Sequence, residues 1–400
     1  MPLILRKLKV RLRALLKWLL LVVPARELGR IVFMRVFWRF RYLTTTRDNN
    51  VPTVALITPV YNNRALVKDA IRSARAQSWR NIEHFIVDDG STDGSAGVLD
   101  RFAADAQSGI RAHKPMRAVG TTVIHQPNAG PGAARNRGVA EALKGTKLGA
   151  QCKYLLFLDS DDLLPFHGVR RLVERAEASG SPLVIGRLER IDGVRRFQRR
   201  DNMHVYATDR TGITIDDAPE VLSDANISAK LFRVDFWRQQ KLEFPEGVVF
   251  EDMPVVVGAY LNAPRFDIVS APVNLWRVRP EGASITQRRT QLKSLADRMT
   301  AIERNIKMIQ DAIGAKRCTQ HVLEAYLARI ISLDLQLFVV SLAATDQDYF
   351  DEFHKRAAGI LVGASQETWN AATGAHKDLV RLATEGSRER VVQAITAKGL

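Results

Sequence analysis

The sequence predicts an α/β protein: an open, mostly parallel sheet with flanking helices, preceded by a basic amphipathic segment and followed by a helical C-terminal domain. Three observations carry this expectation. Tyr154-Leu-Leu-Phe-Leu158 is an unbroken apolar run, the pattern of a strand buried on both faces. Two earlier apolar runs, Val54–Ile57 and Phe85–Val87, alternate with helix-patterned stretches, which is the strand–helix–strand order of such a sheet. From about Arg288 onward the apolar residues instead recur every three or four positions.

The elements follow in order. Val54-Ala-Leu-Ile reads as a buried strand ended by Thr58-Pro59. Leu66, Val67, Ala70, Ile71 and Ala74 lie at helical spacing. A second strand around Phe85–Val87 runs into Asp88 and Asp89 and a Gly-Ser-Thr-Asp turn. A third, Thr121–His125, precedes the glycine-rich stretch Asn128–Gly138, which leads into a helix carrying Arg135 and Arg137. The apolar run at 154–158 then enters three carboxylates, Asp159, Asp161 and Asp162.

Carboxylates packed this closely repel unless a cation joins them. Oxygen ligands at a strand end suit Mg²⁺ or Mn²⁺ shared with a substrate's phosphates, and strand ends are where open α/β sheets place ligands. An acidic turn that starts the next helix would look the same. The triplet alone does not choose between these; the upstream strand ends, with their polar residues of the kind that bind nucleotides, favour the ligand site.

Taken in order, TPVYNN at 58–63, VDDGSTDGS at 87–95, NAGPGAARNRG at 128–138, FLDSDD at 157–162 and FEDMP at 250–254 resemble the family 2 glycosyltransferases of GT-A fold. WRVRPEGASIT at 276–286 is a looser match, and the set spans roughly 51–286. The resemblance implies that Pro59 and Tyr61 border a nucleotide base, that Asp89 accepts from a uracil-like edge with Asp88 beside it, and that Asn128 and Arg135 lie along the donor. It implies Asp159 on the donor ribose or the metal, and Asp161 as the main ligand of a divalent Mn or Mg ion. Asp252 falls at the catalytic base position with Glu251 next to it. Arg277, Arg279 and Ser284 fall where related polymer-modifying enzymes hold the diphosphate.

The implied activity is inverting, metal-dependent transfer of a sugar, expected to be UDP-linked, to a hydroxyl of a cell-envelope polymer or lipid-linked glycan. A positioned carboxylate that deprotonates the hydroxyl supplies ~10²–10⁴-fold. One base implies single displacement, since a retaining path needs a second nucleophile. Simpler readings stand beside these roles. Asp252 before Met253-Pro254 could cap a helix. Arg135 and Arg137 could be solvated helix charges; a ligand role is favoured for Arg135 alone. Asp93 reads as a turn residue, Asp162 as a cap, and His84 and His125 as satisfied core or edge residues. Two other functions compete with the transferase reading. A nucleotidyltransferase would need a glycine-rich phosphate loop near the first strand, and TPVYNNR at 58–64 has no glycine. A non-catalytic membrane-associated assembly protein would have lost the acidic residues, which are intact.

The net charge of +16 is uneven: residues 1–50 hold twelve Lys or Arg against two acidic residues. Arg187, Arg190, Arg195, Arg196, Arg199 and Arg200 form a second basic cluster with Glu189 and Asp192. Such a balance suits nucleic acid, an anionic membrane or an acidic substrate such as a polyol-phosphate chain. No zinc finger, RNA-recognition signature or helix-turn-helix is visible, so no nucleic-acid partner is expected. Leu5, Leu8, Leu12, Leu15, Leu19 and Val22 form one helical stripe among basic residues, as in helices that lie in a membrane interface. The expectation is peripheral attachment at the cytoplasmic face of the plasma membrane; the alternative is a helix pair packed on the enzyme itself. The longest uncharged run there, Trp18–Ala25, is eight residues, whereas a span needs ~20. Two cysteines, Cys152 and Cys318, far apart, fit a reducing compartment. Domain boundaries are expected at 1–50, 51–286 and 287–400, with the C-terminal helices supporting the acceptor site or forming a homo-oligomer.

Overall fold

The structure is a computed structural model and describes residues 51–107, 120–145, 151–193, 195–198, 203–279 and 289–400. The basic amphipathic segment at 1–50, Arg199, Arg200 and Ser284 lie outside the described residues.

By compactness the described chain divides into two units. The first holds the sequence up to Thr211 together with Ser228–Gln239 and Asp267–Val278. Its strands and helices alternate: β1 (Val54–Val60), α1 (Val67–Arg75), β2 (Ile82–Asp89), α2 (Ser95–Gln107), β3 (Gly120–Gln126), α3 (Gly130–Leu143), β4 (Tyr154–Phe157), α4 (Gly168–Ser179), β5 (Leu183–Asp192) and β6 (Arg195–Phe197). β7 (Arg210–Ile213), β8 (Lys230–Arg233), α5 (Val234–Gln239) and β9 (Phe266–Arg277) follow. The sheet order is β3-β2-β1-β4-β8-β5-β9-β7, with β6 beside β5.

β3, β2, β1 and β4 run parallel, whereas β8 lies antiparallel between β4 and β5. β1 feeds β2 and β3 on one side and has β4 on the other, so the strand order reverses between β1 and β4. Such a reversal opens a crevice at the carboxyl ends of the strands. The register brings Val60 level with Asp88, and Asp89 level with Gln126. The acidic ends of β2 and β4 therefore share one edge of the sheet.

The core explains the apolar runs. Val54, Leu56, Tyr154, Leu156, Leu172, Val184 and Leu231 pack in one buried cluster. Val60, Val67, Ile71, Ile86 and Leu99 pack in a second. α1 buries Val67, Ala70, Ile71 and Ala74, the expected helical stripe. One boundary differs: β1 does not stop at Thr58-Pro59 but continues through Pro59 to Val60. β4 pairs with β1 only as far as Ile57, so the missing N–H of Pro59 costs no ladder bond on that side.

The second unit collects Gly212–Ile227, Gln240–Phe266 and Arg279–Leu400. Its helices are α6 (Asp252–Asn262), α7 (Leu292–Gly314), α8 (Gln320–Arg329), α9 (Leu335–Val339), α10 (Gln347–Leu361), α11 (Gln366–Ala371), α12 (Lys377–Glu385) and α13 (Arg388–Ala397). Compactness thus interleaves what the sequence order divides at 286: the FEDMP segment groups with the C-terminal helices. α7 buries Leu295, Met299, Ile302 and Ile309. Gln320–Ala344 is a continuous helical run, broken by a π-helical turn at Ile330–Asp334. It is long and apolar enough to cross a membrane by length and composition, and half of its most apolar window is buried within the protein.

Candidate functional site

The site residues of the first unit gather where β1, β2 and β4 end. After β2, Asp89 is 2% exposed. Its carboxylate accepts from Gln126 Nε2 at 2.8 Å, Ala129 N at 2.9 Å and Gly130 N at 2.9 Å. These three bonds fold the 126–130 loop around Asp89; a carboxylate offers about four acceptor positions, so they are compatible with the donor role the resemblance implies for it. Gly90, at φ +73°, allows that loop to approach, since a Cβ there would lie 2.8 Å from Asn128 N. Asn128 is held exposed at the loop's tip.

Asp88 is equally buried. Its Oδ1 accepts from Ser91 N at 3.3 Å, and its Oδ2 meets His125 Nδ1 at 2.9 Å. His125 Nε2 reaches Asp100 at 3.0 Å. The bond to Asp88, helped by Asp100 and opposed by partial burial, raises the pKa of His125. The expected edge histidine is thus a bridge between two carboxylates. The register of β3 against β2 puts residue 125 level with Asp88. His84 behaves as a core residue: it is fully buried against Thr58 Oγ1 at 2.8 Å, and burial, with Arg75, lowers its pKa to about 3.

After β1, Tyr61 is 51% exposed and Pro59 half-buried. The turn between them and β2 is tied down by Asn62 N to Ser91 Oγ at 3.0 Å and Thr92 N to Asn62 Oδ1 at 2.8 Å. Asp93 accepts from Arg64 N and Ser95 N, the turn role expected of it.

The acidic loop after β4 is braced from two sides. Arg135, on α3 and 6% exposed, pairs with Asp159 Oδ1 at 2.8 Å. α3 reaches the sheet because Gly138 faces Ile57; a Cβ there would stand 2.6 Å from Ile57 Cγ2. Asp162 is completely buried, accepting from Asn274 Nδ2 and from Arg277 N, both at 3.0 Å. Burial, with Asp161 and Asp159 nearby, pushes its carboxyl well above the usual carboxylate range. Asp162 is therefore a structural tie from the loop to β9. Arg277 also donates from Nε to the Asp161 backbone oxygen at 2.9 Å and reaches Asp69 at 3.5 Å. Asn63 Nδ2 donates to Ser160 Oγ at 2.8 Å.

These ties leave Asp159 and Asp161 as the half-buried carboxylates of the loop. Among the described residues no three His, Cys, Asp or Glu side chains form a metal cage. Two carboxylates in a loop whose third carboxyl is already disfavoured as an anion fit a hard cation that completes its shell with substrate phosphates. Asn63 and Ser160 lie within the TPVYNN and FLDSDD motifs without having been singled out, and Asn274 lies in no motif; their roles became visible only through register and burial.

In the second unit, Asp252 opens α6, and Glu251 occupies the cap position without a side-chain cap bond. Asp252 is thus not the cap that the sequence allowed; it sits in the first helical turn, half-buried, beside a buried Glu251. Arg279, just past β9, belongs by compactness to this unit. Arg137, back in the first unit, pairs with Glu141 on the surface of α3 at 3.1 Å, the solvated role favoured for it.

Residues 55–238 match the sequence profile described as Glycosyl transferase family 2. An uncharacterized glycosyltransferase, EpsJ of Bacillus subtilis, is 26% identical over 58% of this chain and 62% of its own length. The poly(ribitol-phosphate) beta-glucosyltransferase of Bacillus spizizenii is 24% identical over 54% of this chain and 30% of its own. The match thus spans less than two thirds of either relative. The structure of S. aureus TarS residues 1–349 in complex with UDP-GlcNAc superposes with a TM-score of 0.65 at 16% identity, covering 86% of this chain and 92% of that one. That likeness establishes the shared fold.

Proposed function

Residues 55–238 match the profile described as Glycosyl transferase family 2, and from that match we propose that the protein transfers a sugar from a UDP-linked donor, with inversion, to a hydroxyl of a cell-envelope polymer. The observation that carries the reading is the braced acidic loop, Asp159–Asp162, at the strand-order reversal between β1 and β4. That is the place where an open α/β sheet takes a nucleotide. The fold shared with TarS and the poly(ribitol-phosphate) relative support the substrate classes.

In this reading Pro59 and Tyr61 flank the base, and Asn128 and Arg135 line the donor. Asp161 and Asp159 would hold a divalent cation, Mn²⁺ or Mg²⁺. Such an ion, when bound, supplies Lewis-acid stabilisation of the departing diphosphate. Arg135 balances the charge of Asp159, and Arg277 fixes the backbone of Asp161, so the two carboxylates are oriented before the donor arrives. Arg279 and Ser284 assist on the diphosphate. Asp252, with Glu251 behind it, takes the proton of the attacking hydroxyl as the bond to the anomeric carbon forms and the bond to the diphosphate oxygen breaks.

The test is Asp252→Asn. Turnover should fall at least ~10²-fold while donor affinity stays near wild type. Full turnover in the variant would remove Asp252 from the reaction. We further propose that residues 1–50, with their twelve basic side chains, hold the protein on an anionic cytoplasmic membrane surface.

A further inference from the structure

The helical unit contains an ion cluster that the proposed chemistry does not use. Asp334 closes the π-helical turn Ile330–Asp334 and is fully buried. Its two oxygens are taken by Arg298 of α7 and Arg329 of α8, whose side chains are 12% and 9% exposed. An arginine–aspartate–arginine group buried this deeply is costly to desolvate and is seldom the most stable choice for a core. A π turn inserted in a helix often marks a functional position. Here it delivers Asp334 to Arg298.

Arg298 in turn lies over the ring of Phe250, with its guanidinium carbon 4.4 Å from the ring centroid. The preceding residue, Asp297, accepts from Val249 N at 3.1 Å. Two successive residues of α7 therefore grip two successive residues of the segment that leads into α6. Phe250 has φ +67°, a left-handed backbone that a bulky residue adopts only when its surroundings impose it. Its carbonyl accepts from Met253 N at 3.3 Å, so this turn sets the direction in which α6 starts. Glu251 and Asp252 come next.

We propose that Arg298 is a positioning residue for catalysis. Asp334 fixes its guanidinium, its stacking holds Phe250 in the left-handed turn, and the turn sets the placement of Asp252. The inference rests on the reading of Asp252 as the base. Arg298 touches neither donor nor acceptor in this role.

The experiment is a comparison of Arg298→Lys, Phe250→Leu, Asp252→Asn and the Arg298→Lys/Asp252→Asn pair. Arg298→Lys keeps a charge for Asp334 but loses the flat face. Phe250→Leu loses the ring at a partly exposed position and serves if Arg298→Lys does not fold. Donor affinity is read by calorimetry, kcat by transfer, and all rates well below each variant's Tm. Either single variant should lower kcat about tenfold or more with donor affinity within about twofold, since small misplacement of a reacting group costs up to ~10². In the Asp252→Asn background, Arg298→Lys should cost nothing further, because the group it positions is gone. Wild-type kcat in both Arg298→Lys and Phe250→Leu, whatever happens to Tm, would overturn the proposal. So would an equal further loss in the pair. If Asp252→Asn alone is fully active, the base assignment fails first; if it is inactive while the Arg298 and Phe250 variants are not, only the positioning role fails.

Discussion

Replacing Asp162 separates bracing from charge. The side chain is fully buried and accepts one bond from Asn274 Nδ2 and one from Arg277 N. Asp162→Ala strands the buried Asn274 amide and the half-buried Arg277 N–H at ~1–3 kcal/mol each, so the loss should be about 2–6 kcal/mol. At ~2–4 °C per kcal/mol for a chain of a few hundred residues, Tm should fall by roughly 4–24 °C. Asp162→Asn should behave differently. Asn274 Oδ1 is buried without a hydrogen-bond partner. Turning the Asn274 amide over lets the Nδ2 of the substituted side chain donate to that oxygen, while its Oδ1 still accepts from Arg277 N. One bond replaces another, and a buried carboxyl is exchanged for a neutral amide of the same shape, so stability should change by less than about 1 kcal/mol. Asn274→Asp alone faces one buried carboxyl with another and should be destabilising; combined with Asp162→Asn it should recover. Differential scanning fluorimetry of the four variants reads this directly. If Asn costs as much as Ala, the ionised carboxylate itself is required and the bracing argument is wrong; if Ala costs nothing, β9 does not hold the acidic loop.

Three further outcomes follow from the same geometry. His125 has a raised pKa in the folded state, so its contribution to stability is complete below the unfolded value of ~6.5 and is lost as pH rises through the folded value; His125→Gln should flatten that part of the Tm–pH curve, and an unchanged curve would show that the bridge to Asp88 is not formed. Gly138→Ala forces a methyl to within 2.6 Å of Ile57 Cγ2 and should cost about 1–3 kcal/mol by overpacking, read by urea unfolding; a neutral effect would mean α3 can lift from β1 freely. Deleting residues 1–43 should release the protein from anionic vesicles in co-sedimentation and leave transfer to a soluble acceptor intact; continued sedimentation would place the anchor elsewhere.

The parallel half of the sheet was legible because its strands are buried on both faces and so must be written as apolar runs, as at Val54–Ile57 and Tyr154–Leu158. The helical stripes of α1 and α7 were legible for the same reason at a different period. What the sequence hid was long-range. β8 inserts antiparallel between β4 and β5, and nothing local in KLFR announces direction. Asp89 was assigned to the donor by the family resemblance; its bonds to Gln126 Nε2 and to the backbone of residues 129 and 130, about forty residues away, are visible only through the register. The FEDMP motif was recognisable, but its grouping with the C-terminal helices was not, because packing of α6 against α7 leaves no mark at residue 286. The π turn at Ile330–Asp334 was not legible in the sequence, where it falls in an apolar stretch that carries the charges Arg329 and Asp334. Those charges meet one another, which is how such residues are kept in a core.

Calorimetric titration of UDP-sugars into wild type and Asp161→Asn, with and without Mn²⁺, tests the central claim most directly. The account predicts that wild type binds at least one UDP-sugar in the presence of Mn²⁺, and that affinity falls about tenfold or more on removing the ion or the Asp161 charge, because an amide adds no charge toward the cation. Equal affinity in wild type and Asp161→Asn under both conditions, or no binding of any nucleotide sugar by the folded protein, would contradict it.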